Sequence, residues 1–449
     1  MSSLKILQDD TYLQPFEFAI TGRHDYAVRK EQELLGEENK TLSDFASGYL
    51  FFGMHKIKRS WVIREWAPNA TELYLIGDFN GWQKNDKFKF ERKDNGIWEL
   101  KVGERMLKHG DLYKFIIVWN GGEGERIPAW ARYVVQDPVT HIFSAKVWMP
   151  ENPYKFKIRK FRPTTSPLKI YECHIGMATE EERIGTYDEF RINVLPRIVK
   201  AGYNCIQIMA IQEHPYYGSF GYHVSNFFAA SSRFGTPDEL KQLVDEAHKN
   251  NIAVIMDLVH SHAVKNEVEG LARFDGTPYQ YFHGGERREH PAWDSLCFNY
   301  NKNEVLHFLL SNCKFWLEEY KFDGFRFDGV TSMIYRNHGL GQDFTNYSDY
   351  YNLNQDGDAI CYLTLANKLI HEVKPDAITI AEEMSGLPEL AVPFSDGGIG
   401  FDYRLAMGIP DFWIRYIKEV RDEDWKAGHI FYEMTNRRAG EKTISYAES

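Results

Sequence analysis

The sequence predicts a mixed α/β protein: an N-terminal helical segment and a small β-sandwich, followed by an incomplete (β/α)8 TIM barrel of seven strands. Two changes in the hydrophobic pattern along the chain predict this order. Short alternating or aromatic-rich runs fill residues 45–150, whereas near-continuous apolar runs alternate with amphipathic helices in residues 169–449. A length of 449 residues fits about three such units, at roughly 150 residues per domain.

The first two predicted elements differ in composition. Residues 1–44 are mostly charged, and "VRKEQELLGEENK" has the pattern of a solvated helix that reaches a glycine break. Within residues 45–150, the runs "WVIREWAP", "ELYLIGDFNGW", "GIWELKV" and "LYKFIIVW" are separated by Pro, Asn-Gly and Asp-Asn-Gly turn signals. These runs predict the sandwich, and the basic, proline-punctuated residues 151–168 predict a linker.

The barrel strands are predicted from apolar runs without strict alternation. Strands of a parallel sheet are buried on both faces, so they are expected to be hydrophobic along their whole length. A further run, "TISYAES", ends the sequence and reads as the start of a strand. The six runs before it start near Ile170, Cys205, Ala253, Gly324, Ile378 and Gly400.

Amphipathic helices are predicted between these strands. In "TPDELKQLVDEAHKNN", Thr236 and Glu239 have the spacing of a capping box and Pro237 lies in the first turn. A second helix is predicted in "NEVLHFLLSNCKFWLEEY". Regular alternation of strand and helix predicts right-handed βαβ units, and six strands before the terminal run favour a barrel over a doubly wound sheet.

Composition excludes several classes of protein. The net charge of −11 argues against a nucleic-acid partner, which would need clustered Lys and Arg. The N-terminal stretch lacks the apolar core of a signal peptide, and no run approaches the roughly 18 apolar residues of a membrane span. The five cysteines show no CxxC spacing. We therefore expect free thiols, a cytoplasmic location and no membrane partner.

Polar residues at the carboxyl ends of barrel strands are the candidates for catalysis, because the βα loops build the active site there. Two carboxylates from different strands, with an Arg two residues before one of them, stand out among these residues. The candidates are His174 after the first strand, Asp257, His260 and His262 on the third, Arg326 and Asp328 on the fourth, and Glu382 and Glu383 on the fifth.

Arg326 and Asp328 are two residues apart on a strand, so their side chains are expected on the same side, where the guanidinium keeps the carboxylate ionised. An ionised, fixed carboxylate is a nucleophile. Glu382, in a setting predicted to be less charged, is expected to keep its proton and act as general acid. A nucleophile and an acid about 5 to 5.5 Å apart form the retaining glycosidase arrangement.

Each of these residues has an alternative interpretation. Arg326 and Asp328 also fit a buried structural ion pair. Spacing alone does not decide whether Glu382 or Glu383 points inward. His260 and His262 also suggest a metal-dependent hydrolase, although the other histidines, His174 and His214, show no ligand spacing. From a lone HxH, His262 is better explained as a core histidine.

The motifs "DLVHSH", "GFRFDGV" and "TIAEE", in this order on successive strands, resemble three signature regions of the alpha-amylase superfamily, glycoside hydrolase family 13. The stretches "RFDGVTSMIYRNHG" and "GGIGFDYRLAMGIPDFW" are similar to the glycogen and starch branching enzymes of the eukaryotic type. In the same family, "REWAPNATELYLIGDFNGW" resembles a glucan-binding sandwich module, carbohydrate-binding module family 48. The resemblance covers nearly the whole chain.

For the reaction, the resemblance implies Asp328 as nucleophile, Glu382 as acid/base and Arg326 as the residue that orients the nucleophile. It implies cleavage of an α-1,4 link, a glycosyl ester on the Asp, and transfer to a 6-hydroxyl of another glucan. The implied partner is an α-1,4-glucan polymer such as glycogen or starch, and no cofactor is implied. The alternatives are a catalytically inactive glucan-binding protein and another family 13 hydrolase.

The resemblance also implies residues that bind sugar. Tyr222 would stack on the ring before the cleaved bond, with Asp257 and His262 hydrogen-bonded around the same sugar. In the sandwich, Trp82 and Lys114 match glucan contacts, although Trp82 also fits a turn-packing role.

The last residues carry one further expectation. In the family, the seventh strand is followed at once by the His and Asp of a fourth signature region, and that Asp stabilises the transition state. The sequence ends at Ser449 before either residue. We therefore expect a truncated chain that lacks the eighth strand and does not perform the reaction alone.

Overall fold

The computed structural model describes residues 4–36, 40–164, 167–438 and 440–446. Contacts divide the chain into two units. Residues 43–324 form one of them, called here the continuous unit. The other, called here the split unit, combines residues 1–42 with residues 325–449.

The α-helices and β-strands have the following bounds. The helices are α1 Lys5–Asp9, α2 Glu17–Leu35, α3 Leu42–Phe45, α4 Gly48–Phe51, α5 Tyr187–Glu189, α6 Leu195–Lys200, α7 Pro237–Lys249, α8 Asn303–Glu319, α9 Val330–Ile334, α10 Tyr347–Tyr350, α11 Gly357–Val373, α12 Gly408–Glu419 and α13 Ala427–Thr435. The strands before residue 150 are β1 Gly53–Ile57, β2 Ser60–Trp66, β3 Ala70–Gly77, β4 Glu91–Arg92, β5 Ile97–Gly103, β6 Leu112–Trp119, β7 Gly122–Arg126, β8 Val134–Gln136 and β9 Phe143–Lys146. The later strands are β10 Ile170–Cys173, β11 Cys205–Ile208, β12 Gln212–Glu213, β13 Asn226–Ala230, β14 Ala253–Leu258, β15 Ala263–Val264, β16 Glu289–His290, β17 Ser295–Leu296, β18 Gly324–Phe327, β19 Ile378–Ala381, β20 Tyr403–Leu405 and β21 Thr443–Ile444.

The strands before residue 150 form two antiparallel sheets, as the sequence predicts for a sandwich. One sheet has the order β1-β2-β5-β4, and the other has the order β3-β6-β9-β8 with β7 paired to β6. Their inward residues are large and buried, among them Trp61, Trp98 and Phe115. Alternation between buried and exposed positions is clearest on β5, as expected for a sheet with one face on a core.

The predicted linker is held against the helix α7. The buried Asp245 carboxylate accepts hydrogen bonds from the Tyr154 hydroxyl at 2.5 Å and from the backbone N–H groups of Lys157 at 2.8 Å and Ile158 at 2.9 Å. Phe161 stacks on His248 of the same helix, with ring centroids 4.2 Å apart. Three donors on one carboxylate fix this segment, although its composition predicts only a connection.

In the continuous unit, β10, β11 and β14 lie side by side and run parallel, with Ile170 opposite Cys205 and Cys205 opposite Ala253. The predicted capping box at the start of α7 is present, because Thr236 accepts the N–H of Glu239 and Glu239 accepts the N–H of Thr236. The apolar face of this amphipathic helix is fully buried and consists of Leu240, Leu243, Val244 and Ala247.

In the split unit, the strands follow the order β18-β19-β20-β21. The pairs β19–β20 and β20–β21 are parallel. The strand predicted near Gly400 begins three residues later, at Tyr403. The predicted terminal strand is present as β21, and residues 447–449 of the predicted run lie outside the described residues.

The N-terminal helix α2 packs on α11, more than 300 residues away in the sequence. The Tyr26 hydroxyl donates to Asp358 at 2.7 Å, and Lys368 forms an ion pair with Glu31. The helix ends at Gly36, which has a φ of 65° and therefore terminates the helix in the left-handed region. The five cysteines are buried thiols outside any disulfide, as predicted.

The contacts of Asp245 predict a local change in dynamics. Replacing Asp245 with Ala removes three hydrogen bonds to the linker, so the amides of Lys157 and Ile158 are expected to exchange faster with solvent, by at least about tenfold. Hydrogen–deuterium exchange followed by mass spectrometry measures this change. Glu246→Ala is the control, because the Glu246 carboxylate lies on the same helix and contacts Lys249 and Asn250 there. Equal exchange rates in the wild type and Asp245→Ala would show that the linker is held by other contacts.

Candidate active site

Arg326 and Asp328 point to the same side of the chain at the end of β18. The Arg326 Nη1 lies 2.9 Å from the Asp328 Oδ1, as the two-residue spacing predicts. The next residue, Gly329, has a φ of 63°, a conformation that favours glycine. This turn ends the strand, so that α9 starts at Val330 immediately after the carboxylate.

Glu382 lies at the end of β19 and faces the same pair. Its Oε1 is 3.0 Å from the Arg326 Nη2, and its Oε2 accepts the backbone N–H of Gly329 at 2.8 Å. Its own backbone is held on both sides, because its N–H donates to the Phe327 carbonyl at 3.1 Å and its carbonyl accepts from Val330 at 3.0 Å. One guanidinium therefore bridges two carboxylates from successive strands.

Burial and charge act together on Glu382. Burial raises the pKa of this carboxyl group, the Arg326 charge opposes that rise, and the Asp328 charge adds to it. The sequence predicts a less charged setting for Glu382, and this is wrong, because Glu382 shares Arg326 with Asp328. Its higher proton affinity arises from burial and from the neighbouring carboxylate.

Geometry separates the two adjacent glutamates, which spacing alone does not. The Glu383 side chain is fully buried and forms an ion pair with Arg404 of β20. It also accepts the backbone N–H groups of Ser385 at 2.6 Å and Gly386 at 3.0 Å. Glu382 is therefore the glutamate that reaches Arg326, and Glu383 points away into a separate polar cluster.

Three predicted sugar-binding residues meet in the continuous unit. The Tyr222 hydroxyl donates to the Asp257 Oδ2 at 2.7 Å, and the His262 Nε2 lies 2.8 Å from the Tyr222 carbonyl oxygen. Burial lowers the pKa of His262 to about 4. The imidazole is therefore neutral near pH 7, and its Nε2–H donates to that carbonyl while Nδ1 faces the Ser261 hydroxyl at 2.9 Å.

The other strand-end histidines have structural contacts. His260 Nε2 lies 3.0 Å from the Asn312 side-chain oxygen, and burial lowers its pKa to about 3. His174 accepts the N–H of Met177, and His214 Nδ1 faces the Gln212 carbonyl. In the described residues, no group of three or more His, Cys, Asp or Glu side chains is arranged to hold a metal ion.

The two predicted sandwich contacts have partners within the sandwich. The Trp82 Nε1–H donates to Asp78 at 3.1 Å in the turn after β3. Lys114 is buried on β6 and pairs with Glu125 at 2.9 Å. A role in glucan binding stays a prediction for both residues.

Sequence reasoning missed Trp293 and Arg404. Trp293 is 36% exposed and stacks on His290, with centroids 4.0 Å apart, and its ring lies 5.1 Å from that of His262. It occurs in a loop outside any motif, so no sequence signal identifies it. Arg404 lies on β20 inside the quoted stretch "GGIGFDYRLAMGIPDFW", and only its contact with Glu383 shows its importance.

Among the residues that the structure describes, every helix is too short or too polar to cross a bilayer.

Comparisons with known families and structures agree with this arrangement. Carbohydrate-binding module 48 (isoamylase N-terminal domain) matches residues 51–131, and the alpha amylase catalytic domain matches residues 191–282 and 274–406. A pullulanase from Bacillus acidopullulyticus superposes with a TM-score of 0.62 at 18% identity, covering 80% of this chain and 45% of the pullulanase. These matches confirm the predicted fold class, a sandwich followed by barrel strands, seven of which lie in the described residues.

Closer relatives share nearly half of the sequence. A 1,4-alpha-glucan-branching enzyme of Yarrowia lipolytica is 48% identical over 467 aligned residues, covering 100% of this chain and 67% of the relative. One from Felis catus is 49% identical over 456 residues, covering 99% and 64%. The chain thus spans about two thirds of the length of the curated relatives it matches. It belongs to the family of 1,4-alpha-glucan-branching enzymes within the alpha-amylase superfamily.

Proposed function

We propose that the chain takes part in 1,4-alpha-glucan branching, in which an α-1,4-glucan is cleaved with retention and its segment is transferred to a 6-hydroxyl. The observation that carries the proposal is the bridge from Arg326 to both Asp328 and Glu382, with contacts of 2.9 and 3.0 Å. Retaining glycoside chemistry needs one ionised and one protonated carboxyl group side by side. The relatives named above support the choice of branching over hydrolysis.

In the first step, Glu382 donates its proton to the glycosidic oxygen while the Asp328 carboxylate attacks the anomeric carbon. The bond between that carbon and the glycosidic oxygen breaks, and the donor segment becomes an ester of Asp328. The raised pKa of Glu382 supports this role, because the residue must hold a proton near neutral pH.

In the second step, the Glu382 carboxylate takes the proton of the acceptor 6-hydroxyl, whose oxygen attacks the anomeric carbon of the ester. Asp328 leaves as a carboxylate and an α-1,6 link is formed. Arg326 is assigned to orientation of Asp328, since its Nη1 lies 2.9 Å from that carboxylate. Both steps use the same two carboxyl groups in reversed proton states.

Tyr222, Asp257 and His262 are assigned to sugar binding. The Tyr222 ring is half-buried and is held by its hydroxyl on Asp257, so it offers a fixed apolar face for stacking on a sugar. The neutral His262 and the buried Asp257 supply hydrogen-bonding atoms beside it.

We assign residues 45–150 to a glucan-binding module, with Trp82 and Lys114 as contacts, and residues 169–449 to the catalytic barrel. Residues 1–44 are assigned to a helical segment and residues 151–168 to a linker. The partner is an α-glucan, and free buried cysteines support a cytoplasmic setting. The alternative is a protein that binds glucan through the same surfaces without turnover.

The nucleophile can be tested by removing its carboxylate. Asp328→Asn is expected to reduce formation of new α-1,6 links by at least about 10³-fold, because an amide cannot form the ester. The assay follows α-1,6 anomeric protons by NMR on a linear α-glucan. Equal and measurable rates for the wild type and Asp328→Asn would overturn the nucleophile assignment. A wild-type chain that binds glucan but forms no α-1,6 link would favour the binding-protein alternative.

The proton affinity of Glu382 can be tested by removing the charge beside it. Asp328→Asn removes a negative charge from beside Glu382 and leaves Arg326 to act on Glu382 alone, so the pKa of Glu382 is expected to fall. A ¹³C NMR titration of glutamate side-chain carboxyls measures this, with the Glu382 signal assigned by its loss in Glu382→Gln. Asp376→Asn, which removes an exposed charge, is the control. An unchanged or higher pKa in Asp328→Asn would contradict the electrostatic account.

Two variants separate stacking from hydrogen bonding at Tyr222. Tyr222→Phe keeps the ring but loses the hydroxyl bond to Asp257, so kcat/KM is expected to fall by about tenfold. Tyr222→Ala also removes the stacking surface and is expected to lower kcat/KM by about 10²-fold or more. Steady-state kinetics on linear glucan checks both, with the exposed Tyr279→Phe as control. Equal losses in the Phe and Ala variants would exclude stacking as the main role.

A further inference from the structure

Glu383, the glutamate that the proposed chemistry does not use, has an unusually complete set of partners. Its Oε1 accepts from the Ser385 N–H at 2.6 Å and the Thr331 hydroxyl at 3.2 Å, and its Oε2 accepts from the Gly386 N–H at 3.0 Å and from Arg404. The carboxylate is fully buried. A buried charge is costly unless it is paired and hydrogen-bonded, so these donors hold the segment in one conformation.

Arg404 is the cation of this cluster. One of its terminal nitrogens, Nη2, contacts Glu383, while Nη1 contacts the Leu387 carbonyl at 2.8 Å and the Glu441 Oε2 at 3.2 Å. Its side chain is only 10% exposed. One guanidinium thus joins the end of β19, the loop that follows it and the residue two positions before β21.

Glu441 extends the same arrangement into the loop after β19. Its two carboxylate oxygens accept the backbone N–H groups of Glu389 at 3.0 Å and Ala391 at 3.2 Å. Residues 383–391 are therefore held at one end by Glu383 and at the other by Glu441, and both carboxylates contact Arg404. The loop starts at the residue next to Glu382, so its position affects the position of Glu382.

Thr331 links this loop to the other carboxylate. Its hydroxyl donates to Glu383 at 3.2 Å and accepts the N–H of Met384 at 2.7 Å. Thr331 is in the first turn of α9, three residues after Asp328. The Arg404 cluster thus contacts both segments that carry the proposed catalytic carboxyls.

We propose that Arg404 is a positioning residue which, through Glu383, holds the Glu382–Glu383 segment so that Glu382 faces Arg326 and Asp328. Arg404 makes no contact with the reacting atoms and acts through its neighbour. The consequence for catalysis rests on the proposed function, whereas the effect on the conformation and proton affinity of Glu382 is independent of it.

The charges around the Glu382–Glu383 segment determine how the pKa of Glu382 is expected to change when Arg404 is removed. Arg326 and Asp328 face Glu382, while Arg404 and, beyond it, Glu441 face Glu383. The hydroxyl groups of Tyr335 and Tyr350 also lie near Glu383, and burial raises the pKa of both above its usual value. These tyrosines are neutral near pH 7. Without Arg404, the negative charge of Glu383 acts on Glu382 unbalanced.

The test replaces Arg404 with Ala and follows the Glu382 carboxyl by ¹³C NMR titration, with Glu382→Gln to assign the signal. The pKa of Glu382 is expected to rise, because an uncompensated carboxylate then adjoins it. An open cavity of about 350 Å³ is lined by Glu383, Arg404 and Arg437, so a small cation can reach the vacated position. Methylguanidinium at non-denaturing concentration is expected to restore the wild-type pKa in Arg404→Ala.

Arg183→Ala is the matched control, because Arg183 also pairs with two glutamates but is exposed. It is expected to leave the Glu382 titration unchanged with or without methylguanidinium. Sodium chloride at equal ionic strength controls for screening. Arg404→Lys keeps the positive charge but loses the paired N–H donors of the guanidinium. Its Glu382 pKa is therefore expected to lie between those of the wild type and Arg404→Ala.

An unchanged Glu382 pKa in folded Arg404→Ala would overturn the proposal. Arg404 would then only stabilise the fold through its ion pairs. If Arg404→Ala does not fold, Glu383→Gln is titrated in its place. This variant leaves Arg404 with less negative charge around it, so the Glu382 pKa is expected to fall, and no change would again overturn the proposal.

A kinetic measurement adds a second readout. In Arg404→Ala, kcat for α-1,6 link formation is expected to fall by about 10- to 100-fold with KM little changed, since substrate contacts remain. The alkaline limb of the kcat–pH profile is expected to shift together with the Glu382 titration. A wild-type chain that forms no α-1,6 links bears on the proposed function alone, because the titration needs no turnover.

Discussion

The candidate active site depends on one guanidinium between two carboxylates. Asp328 and Glu382 have side chains that are 13% and 23% exposed, and Arg326 is 9% exposed. Two acids this close and this buried would repel each other strongly without a shared cation. Arg326 carries one charge for the two of them, and burial and the Asp328 charge still raise the pKa of Glu382 above its usual value.

The backbone is shaped around this shared cation. Gly329 turns the chain directly after Asp328 and directs its N–H to Glu382, at 2.8 Å. The N–H of Glu382 is in turn bonded to Phe327, so the ends of β18 and β19 are held together at the carboxylates. A side chain at position 329 would have to adopt a strained left-handed conformation. The geometry of the site is therefore set by backbone hydrogen bonds as well as by charge.

Sequence reasoning succeeded where the information is local. Alternation along a strand places Arg326 beside Asp328, and the capping signal at Thr236 marks the start of α7 correctly. It failed where contacts join distant segments. The packing of α2 on α11 through Tyr26, and the binding of the linker to Asp245, depend on tertiary proximity that no pattern in either segment encodes.

The adjacent glutamates show why local pattern alone does not assign a catalytic acid. Both Glu382 and Glu383 end a buried strand, and both contact an arginine. Glu383 also accepts two backbone N–H groups and a hydroxyl, which stabilise its negative charge, whereas Glu382 accepts one N–H and shares its arginine with Asp328. Burial and the neighbouring Asp328 carboxylate raise the pKa of Glu382, and this higher proton affinity, together with its few donors, suits Glu382 to the proposed role of general acid. Because the donors to Glu383 come from Thr331, the 385–386 turn and Arg404, the difference between the two glutamates is decided by tertiary structure.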